Sequence, residues 1–218
     1  MITRDYFLRM IHQLAQVLAR VLKLNEVKRY DEALEEIQRS SKQLLGIDVR
    51  LLTSLSDKEI VRLMSLGDRF DVEKCVAAAE LLRMAAEVNA LQGHEATSHH
   101  CYVTSLSLFL ELLQQETGIL PKEYFEKVEG VFQEVSKYEL PPLLQHKLFK
   151  YYEYVGRFDL AENILFEVVE EEPEFAREGI RFYERLRAMS DEELEKGNLP
   201  RHEVENGIKD LGERLKSI

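Results

Sequence analysis

The stretch from Gly93 to Cys101, GHEATSHHC, gathers three of the chain's six histidines and one of its two cysteines. Imidazole and thiolate both bind zinc, and a glutamate flanked by two helical histidines can act as base on a metal-bound water. That motif needs the histidines four residues apart, on one helix face. Here the fourth position after His94 is Ser98. His99, five residues on, is rotated by roughly 140° on a helix turning about 100° per residue. The stretch therefore reads as a corner: Gly93 turns the chain, His94 and Glu95 sit exposed at the bend, and Ala96 to Cys101 begin a returning helix. No metal ligand is assigned and no cofactor is expected. The alternative is a ligand- or metal-sensing corner built from His94 to Cys101, with His100 and Cys101, or His94 and His146, as ligands.

No other chemistry stands out. Carboxylates are plentiful, so pairs fall on many helix faces, and EVVEEEPE at Glu167 to Glu174 reads as a solvated acidic helix end. There is no Gly-rich phosphate loop, no G-x-S-x-G elbow and no G-x-G-x-x-G. These residues point away from an enzyme.

The 218 residues are 45% hydrophobic and 32% charged, with 10 Gly and 5 Pro, which suits a helix-rich globular chain with a sizeable core. A net charge of −11 would repel duplex nucleic acid. Cys75 and Cys101 form no C-x-x-C pair and fit reduced thiols in the cytoplasm. The N-terminal apolar segment is interrupted by Arg4, Asp5, Arg9, His12 and Arg20, so neither a membrane-spanning helix nor a signal peptide is expected.

Helical spacing runs along almost the whole chain, and no alternating β-branched run suggests a strand. The fold class expected is all-α, in a single domain over 1–218. Phe7, Ile11, Leu14, Leu18 and Val21 form a stripe on a first helix over 3–24, with Met10, Val17 and Leu24 beside it. A second helix over 30–45 stops near Gly46. Ser56 to Glu59 is a capping box opening a short helix to about Leu66. Asp71 opens a helix to about Gln92, and another spans about 95–117 before Gly118. Pro121 opens 121–137 and Pro141-Pro142 opens a helix to Val155. Helices over 159–171 and 174–188, a capping box at Ser190 to Glu193 and a helix from Pro200 to about Lys216 complete the chain.

Residues His146 to Pro173, HKLFKYYEYVGRFDLAENILFEVVEEEP, resemble a tetratricopeptide repeat, with Tyr152, Gly156, Phe158, Ala161 and Pro173 at the family's spacing. Leu165 holds a position usually aromatic, and Val168 one usually alanine. A degenerate copy around Gly93 keeps Ala86, Ser98 and Ser105 at the small positions but has Glu95 in place of the aromatic. A weaker third copy has Tyr30 and Ala33 in place and Lys28 where the glycine belongs. The three corners are spaced at close to two periods of about 34 residues. The opening residues are also similar to the start of an uncharacterised family of tetratricopeptide-like proteins from Firmicutes, which implies a cytoplasmic bacterial setting.

The resemblance implies antiparallel helical hairpins near 7–45, 79–117 and 142–173, stacked into a right-handed solenoid with extra helices, including C-terminal ones over 174–218. It also implies a concave groove lined by the first helix of each hairpin, at Arg83, Glu87, Leu91, His146, Lys150, Glu153 and Tyr154. Leu18 and Leu22 replace the first two residues of the family's carboxylate clamp, so a peptide C-terminus is not the expected ligand. The function expected is a non-catalytic protein-protein interaction module binding a peptide or helix in that groove. The apolar surface of the first helix is covered either by the second helix and the one after it, or by a second copy of the chain in a symmetric homodimer that would use Met10 and Val17.

Overall fold

The computed structural model describes residues 2–66, 69–114 and 123–216. Gly118, Pro121 and the side chain of Phe7 lie outside what is described. The chain, read from its sequence as one unbroken array, groups into two compact units, Met1–Glu139 and Leu140–Ile218.

Both units are built of helices. The first holds α1 (Ile2–Glu26), α2 (Tyr30–Leu45), α3 (Val49–Leu52), α4 (Asp57–Leu63), α5 (Val72–Leu91), α6 (Glu95–Gln114) and α7 (Glu123–Val135). The second holds α8 (Pro142–Tyr154), α9 (Phe158–Glu171), α10 (Ala176–Arg187), α11 (Asp191–Lys196) and α12 (Arg201–Lys216), with a 3-10 turn at Pro173–Phe175. Two departures from the sequence reading are local. α3 is an extra turn capped by the Asp48 carboxylate, which accepts from the Arg50 amide. A minimal antiparallel ladder pairs Ser65 with Phe70 and Leu66 with Arg69, each strand two residues long and too short for any alternating pattern. Both capping boxes, Ser56 with Glu59 and Ser190 with Glu193, form as expected.

The three corners share one geometry. Gly93 and Gly156 take φ +78° and +75°, and Lys28, where the repeat pattern asks for glycine, takes +58°. In each case the next residue reaches back five positions: the amides of Arg29, His94 and Arg157 donate to the carbonyls of Leu24, Asn89 and Tyr152. This left-handed cap satisfies carbonyls that the helix end would otherwise leave open. A fourth such corner, unread in the sequence, is Asn198 at φ +56°, followed by a Leu199 amide bonded to Leu194.

In the first unit α5 is the hub, packed on α1, α2, α3 and α6. Its CVAAAELLRMAAEV run is buried on nearly every side because small residues let several neighbours approach. α6 returns antiparallel to it, since Ser98 and Ser105 hydroxyls donate to the Ala86 and Ala79 carbonyls at 2.8 Å each. The small positions of the degenerate repeat thus also carry hydrogen bonds.

The first helix sits differently from its expected stripe. Met10, Leu14, Val17 and Val21 are buried, while Ile11 and Leu18 are half-buried and Leu8 and Leu22 are exposed. Met10 and Val17 are therefore core residues packed within the unit, covered by its own helices as one of the two readings had it, and they offer no exposed surface to a second copy. Apolar residues cover more than half of this helix's circumference, so periodicity alone leaves the inward direction open, and packing on α2 and α5 decides it.

In the second unit α8 and α9 form the hairpin around Gly156, burying Phe158, Ala161, Leu165 and Val168. α10 runs parallel to α8, as the Phe149–Phe182 ring contact and the Glu153–Arg185 ion pair share nearly one offset. α12 returns antiparallel to α10. A Cβ on Gly207 would lie 2.2 Å from the Tyr183 ring, and one on Gly179 2.5 Å from Leu211. The C-terminal helices are thus a second hairpin with α11 in its connection.

Candidate functional site

The nine-residue corner does not converge on a metal. His94 and Glu95 are exposed on the bend, as read from the sequence, and so are Ala96 and Thr97 in the first turn of α6. Ser98 is committed to α5, His99 stacks on Tyr138 with ring centroids 4.4 Å apart, and His100 Nε2 lies 2.5 Å from the Thr53 carbonyl oxygen. Cys101 is buried, and burial pushes its thiol up to about 11. No group of three or more His, Cys, Asp or Glu side chains is placed to hold a metal ion among the described residues.

The groove residues read from the sequence divide between the two units. On α8, His146 is stacked on Phe175 at 4.4 Å with its Nε2 3.2 Å from Glu172, so it belongs to the packing of the helix. Glu153 is held by Arg185 at 2.6 Å. Lys150 and Tyr154 are exposed.

On α5 the picture is richer. Glu80, Arg83, Glu87 and Leu91 follow one another along one helix face. Arg83 donates from Nε to Glu80 at 3.1 Å and from Nη1 to Glu87. Glu80 is buried and also pairs with Lys127 of α7, whose ammonium lies 4.8 Å from the centre of the Tyr124 ring. A buried carboxylate is tolerable here because two cations bond it.

The Glu80–Lys127 pair also sets α7 beside α5. α7 is antiparallel to α6, with Phe109 facing Tyr124 at one end and His99 facing Tyr138 at the other. It therefore runs parallel to α5, and the two flank α6. Between them lies an open cavity of about 280 Å³. Arg83 and Glu87 form one wall, Lys127, Gly130, Val131 and Glu134 the other, and Tyr102 of α6 also lines it.

The electrostatics follow from this enclosure. Burial pushes the Glu87 carboxyl up despite Arg83, with Glu80 and Glu134 adding to the effect. Burial, then Glu87 and Glu134, push the Tyr102 hydroxyl up to about 12. Tyr102 is 9% exposed, and its hydroxyl has no hydrogen-bond partner among the described residues.

Gly130 completes the site. It lies inside α7, where glycine costs roughly 1 kcal/mol relative to alanine. A Cβ there would meet nothing within 4 Å, so packing does not demand glycine.

Of the residues on this side of the unit, the sequence reading named Arg83, Glu87 and Leu91 for the groove and did not name Glu80, Tyr102, Lys127, Gly130 or Glu134. Two signals were available: Glu80 at i−3 from Arg83 in an alanine-rich helix, a spacing that puts the two on one face, and a glycine within a helical period. The pairing of Glu80 with Lys127, 47 residues apart, required the fold.

The model of a family of unknown function (DUF6483) covers residues 1–216. No curated protein and no solved structure matches the chain. Among the described residues, no helix is long and apolar enough to cross a membrane.

Proposed function

The chain belongs to the DUF6483 family of unknown function, and we propose that it is a non-catalytic protein-interaction module of tetratricopeptide-like architecture, acting in the bacterial cytoplasm and binding a peptide or helix between α5 and α7. The observation that carries this reading is the placement of α5 and α7 in parallel on either side of Tyr102, with an open charged cavity between them. In a tetratricopeptide array the first helices of successive hairpins stand in this relation and line the concave face, and α5, α6 and α7 take the places of first, second and next first helix. The shared corners at Lys28, Gly93 and Gly156 support a repeating hairpin unit. The offset of about one repeat between α8 and α10 supports the same in the second unit. Exposed Leu91 and Tyr138 supply apolar contact area outside the charged centre.

Gly130 gives the test. Gly130→Ala should keep binding and raise stability by up to about 1 kcal/mol, because the helix gains and nothing is struck. Gly130→Trp should remain folded but fill the cavity, lowering recovery of a host partner in affinity capture by about tenfold or more. Full recovery by a folded Gly130→Trp protein would place the interface elsewhere.

A further inference from the structure

The face that joins α5 to α7 continues past α5 to α1. Gln92, just beyond α5, donates to the Asp31 carboxylate at the start of α2, 2.9 Å away. At the other end Met10 of α1 and Leu44 of α2 line a small cavity with Glu73 and Ala77 of α5. α1 therefore runs parallel to α5, as α7 does, and the two end within about a turn of the same level. Ala77 on the α1 side and Arg83 on the α7 side lie about 120° apart around α5, so the three helices stand side by side with α5 in the middle.

Near the C-terminal end of each helix stands an exposed apolar side chain. Leu22, Leu91 and Tyr138 each leave about half of their surface open. Leu91 and Tyr138 follow Glu80 and Lys127, the pair that sets the register of α5 and α7, by the same interval of about three helical turns. Arg20 is drawn to Glu36 of α2 at 2.6 Å, and Leu22, two residues on, is rotated about 200° from it, onto the side of α1 turned away from α2. Singly such residues are ordinary, but these three form a row across neighbouring helices. Beside the row the cavity wall sets Arg83 and Lys127 against Glu87 and Glu134, so it offers a ligand no net charge.

We propose that the bound peptide is an uncharged polyproline-type segment with a large apolar side chain at every third residue, laid across the ends of α1, α5 and α7 so that successive apolar side chains meet Leu22, Leu91 and Tyr138. Packed helices stand about 8–10 Å apart. A polyproline helix rises about 3.1 Å per residue with three residues per turn, so every third side chain returns to one face after roughly 9 Å, the step from helix to helix. A β-strand returns to one face after only about 6.7 Å and falls out of step. The half-exposed Tyr138 ring suits proline, as aromatic surfaces that bind such segments do. The inference rests on the interaction-module reading and specifies the chemistry of its ligand.

The test is nuclear magnetic resonance of the full chain with labelled leucine methyls, titrated with acetyl-Leu-Pro-Pro-Leu-Pro-Pro-Leu-amide and, separately, with its isomer acetyl-Pro-Leu-Pro-Leu-Pro-Leu-Pro-amide, which has the same composition and the leucines two apart. The first peptide should shift Leu22 and Leu91 saturably, and the isomer should bind about fivefold or more weakly. Leu91→Ser and Tyr138→Ser change exposed side chains, so both should fold, and each should weaken the first peptide by roughly five- to tenfold. Equal binding of the two isomers, no saturable shift, or undiminished binding by folded Leu91→Ser overturns the inference. So do Leu22 and Leu91 shifts that follow protein concentration alone, which would make a second copy of the chain the occupant. Failure here with partner capture still sensitive to Gly130→Trp would remove this ligand assignment alone. Loss of that sensitivity would remove the module reading and this inference with it.

Discussion

Arg83→Met is expected to lower stability at neutral pH by about 2–4 kcal/mol, since it strips the partner from Glu87 and one of two partners from buried Glu80. The estimate is below that for a fully enclosed pair because Glu87 remains 35% exposed. The deficit should depend on pH. Burial already holds the Glu87 carboxyl above the ordinary glutamate value of 4.5, so the folded chain binds that proton more tightly than the unfolded chain. Stability from this source is complete below 4.5 and is lost as pH rises through the higher folded value. Without Arg83 the folded value rises further. Urea unfolding should therefore show a smaller deficit near pH 5 than near pH 8, and Arg83→Met with Glu87→Gln should recover part of it. A deficit equal at both pH values would mean that Arg83 acts through packing rather than charge.

The second large effect concerns α1. Met10→Glu with Val17→Glu places two carboxylates at positions 6% and 3% exposed, in the apolar packing of the first unit. Each unpaired buried charge costs on the order of 3–5 kcal/mol, and the pair approaches the whole stability of a typical domain. The double variant should lose cooperative unfolding of the first unit in circular dichroism. Leu8→Glu with Leu22→Glu, on the exposed side, should keep it. A folded Met10→Glu/Val17→Glu protein would contradict the placement of this helix.

How far the sequence discloses these features depends on how local their causes are. Capping boxes, proline starts and the glycine corners act over a few residues, and all of those among the described residues appear where they were read. Lys28 shows the limit of the residue rule and the strength of the repeat: position in the pattern marked the corner although the residue did not favour it. The orientation of α1 was not legible, because apolar residues surround most of it and only neighbours choose a face. In the site, Arg83 and Glu87 were found by their place on the first helix of a hairpin. Their partners on α7 were not, since the register between α5 and α7 is set by the Glu80–Lys127 pair across the fold. His146 and Glu153 were read as groove residues by the same positional argument, but Phe175, Glu172 and Arg185 engage them within the second unit.

Photo-crosslinking in the native host tests the central claim most directly. With p-benzoylphenylalanine at position 130, in the wall of the α5–α7 cavity, irradiation should join the chain to a discrete protein partner. The same group at position 181, where the Arg181 side chain is 70% exposed on α10, should give no such adduct. A partner captured from position 181 and not from position 130 would contradict the account.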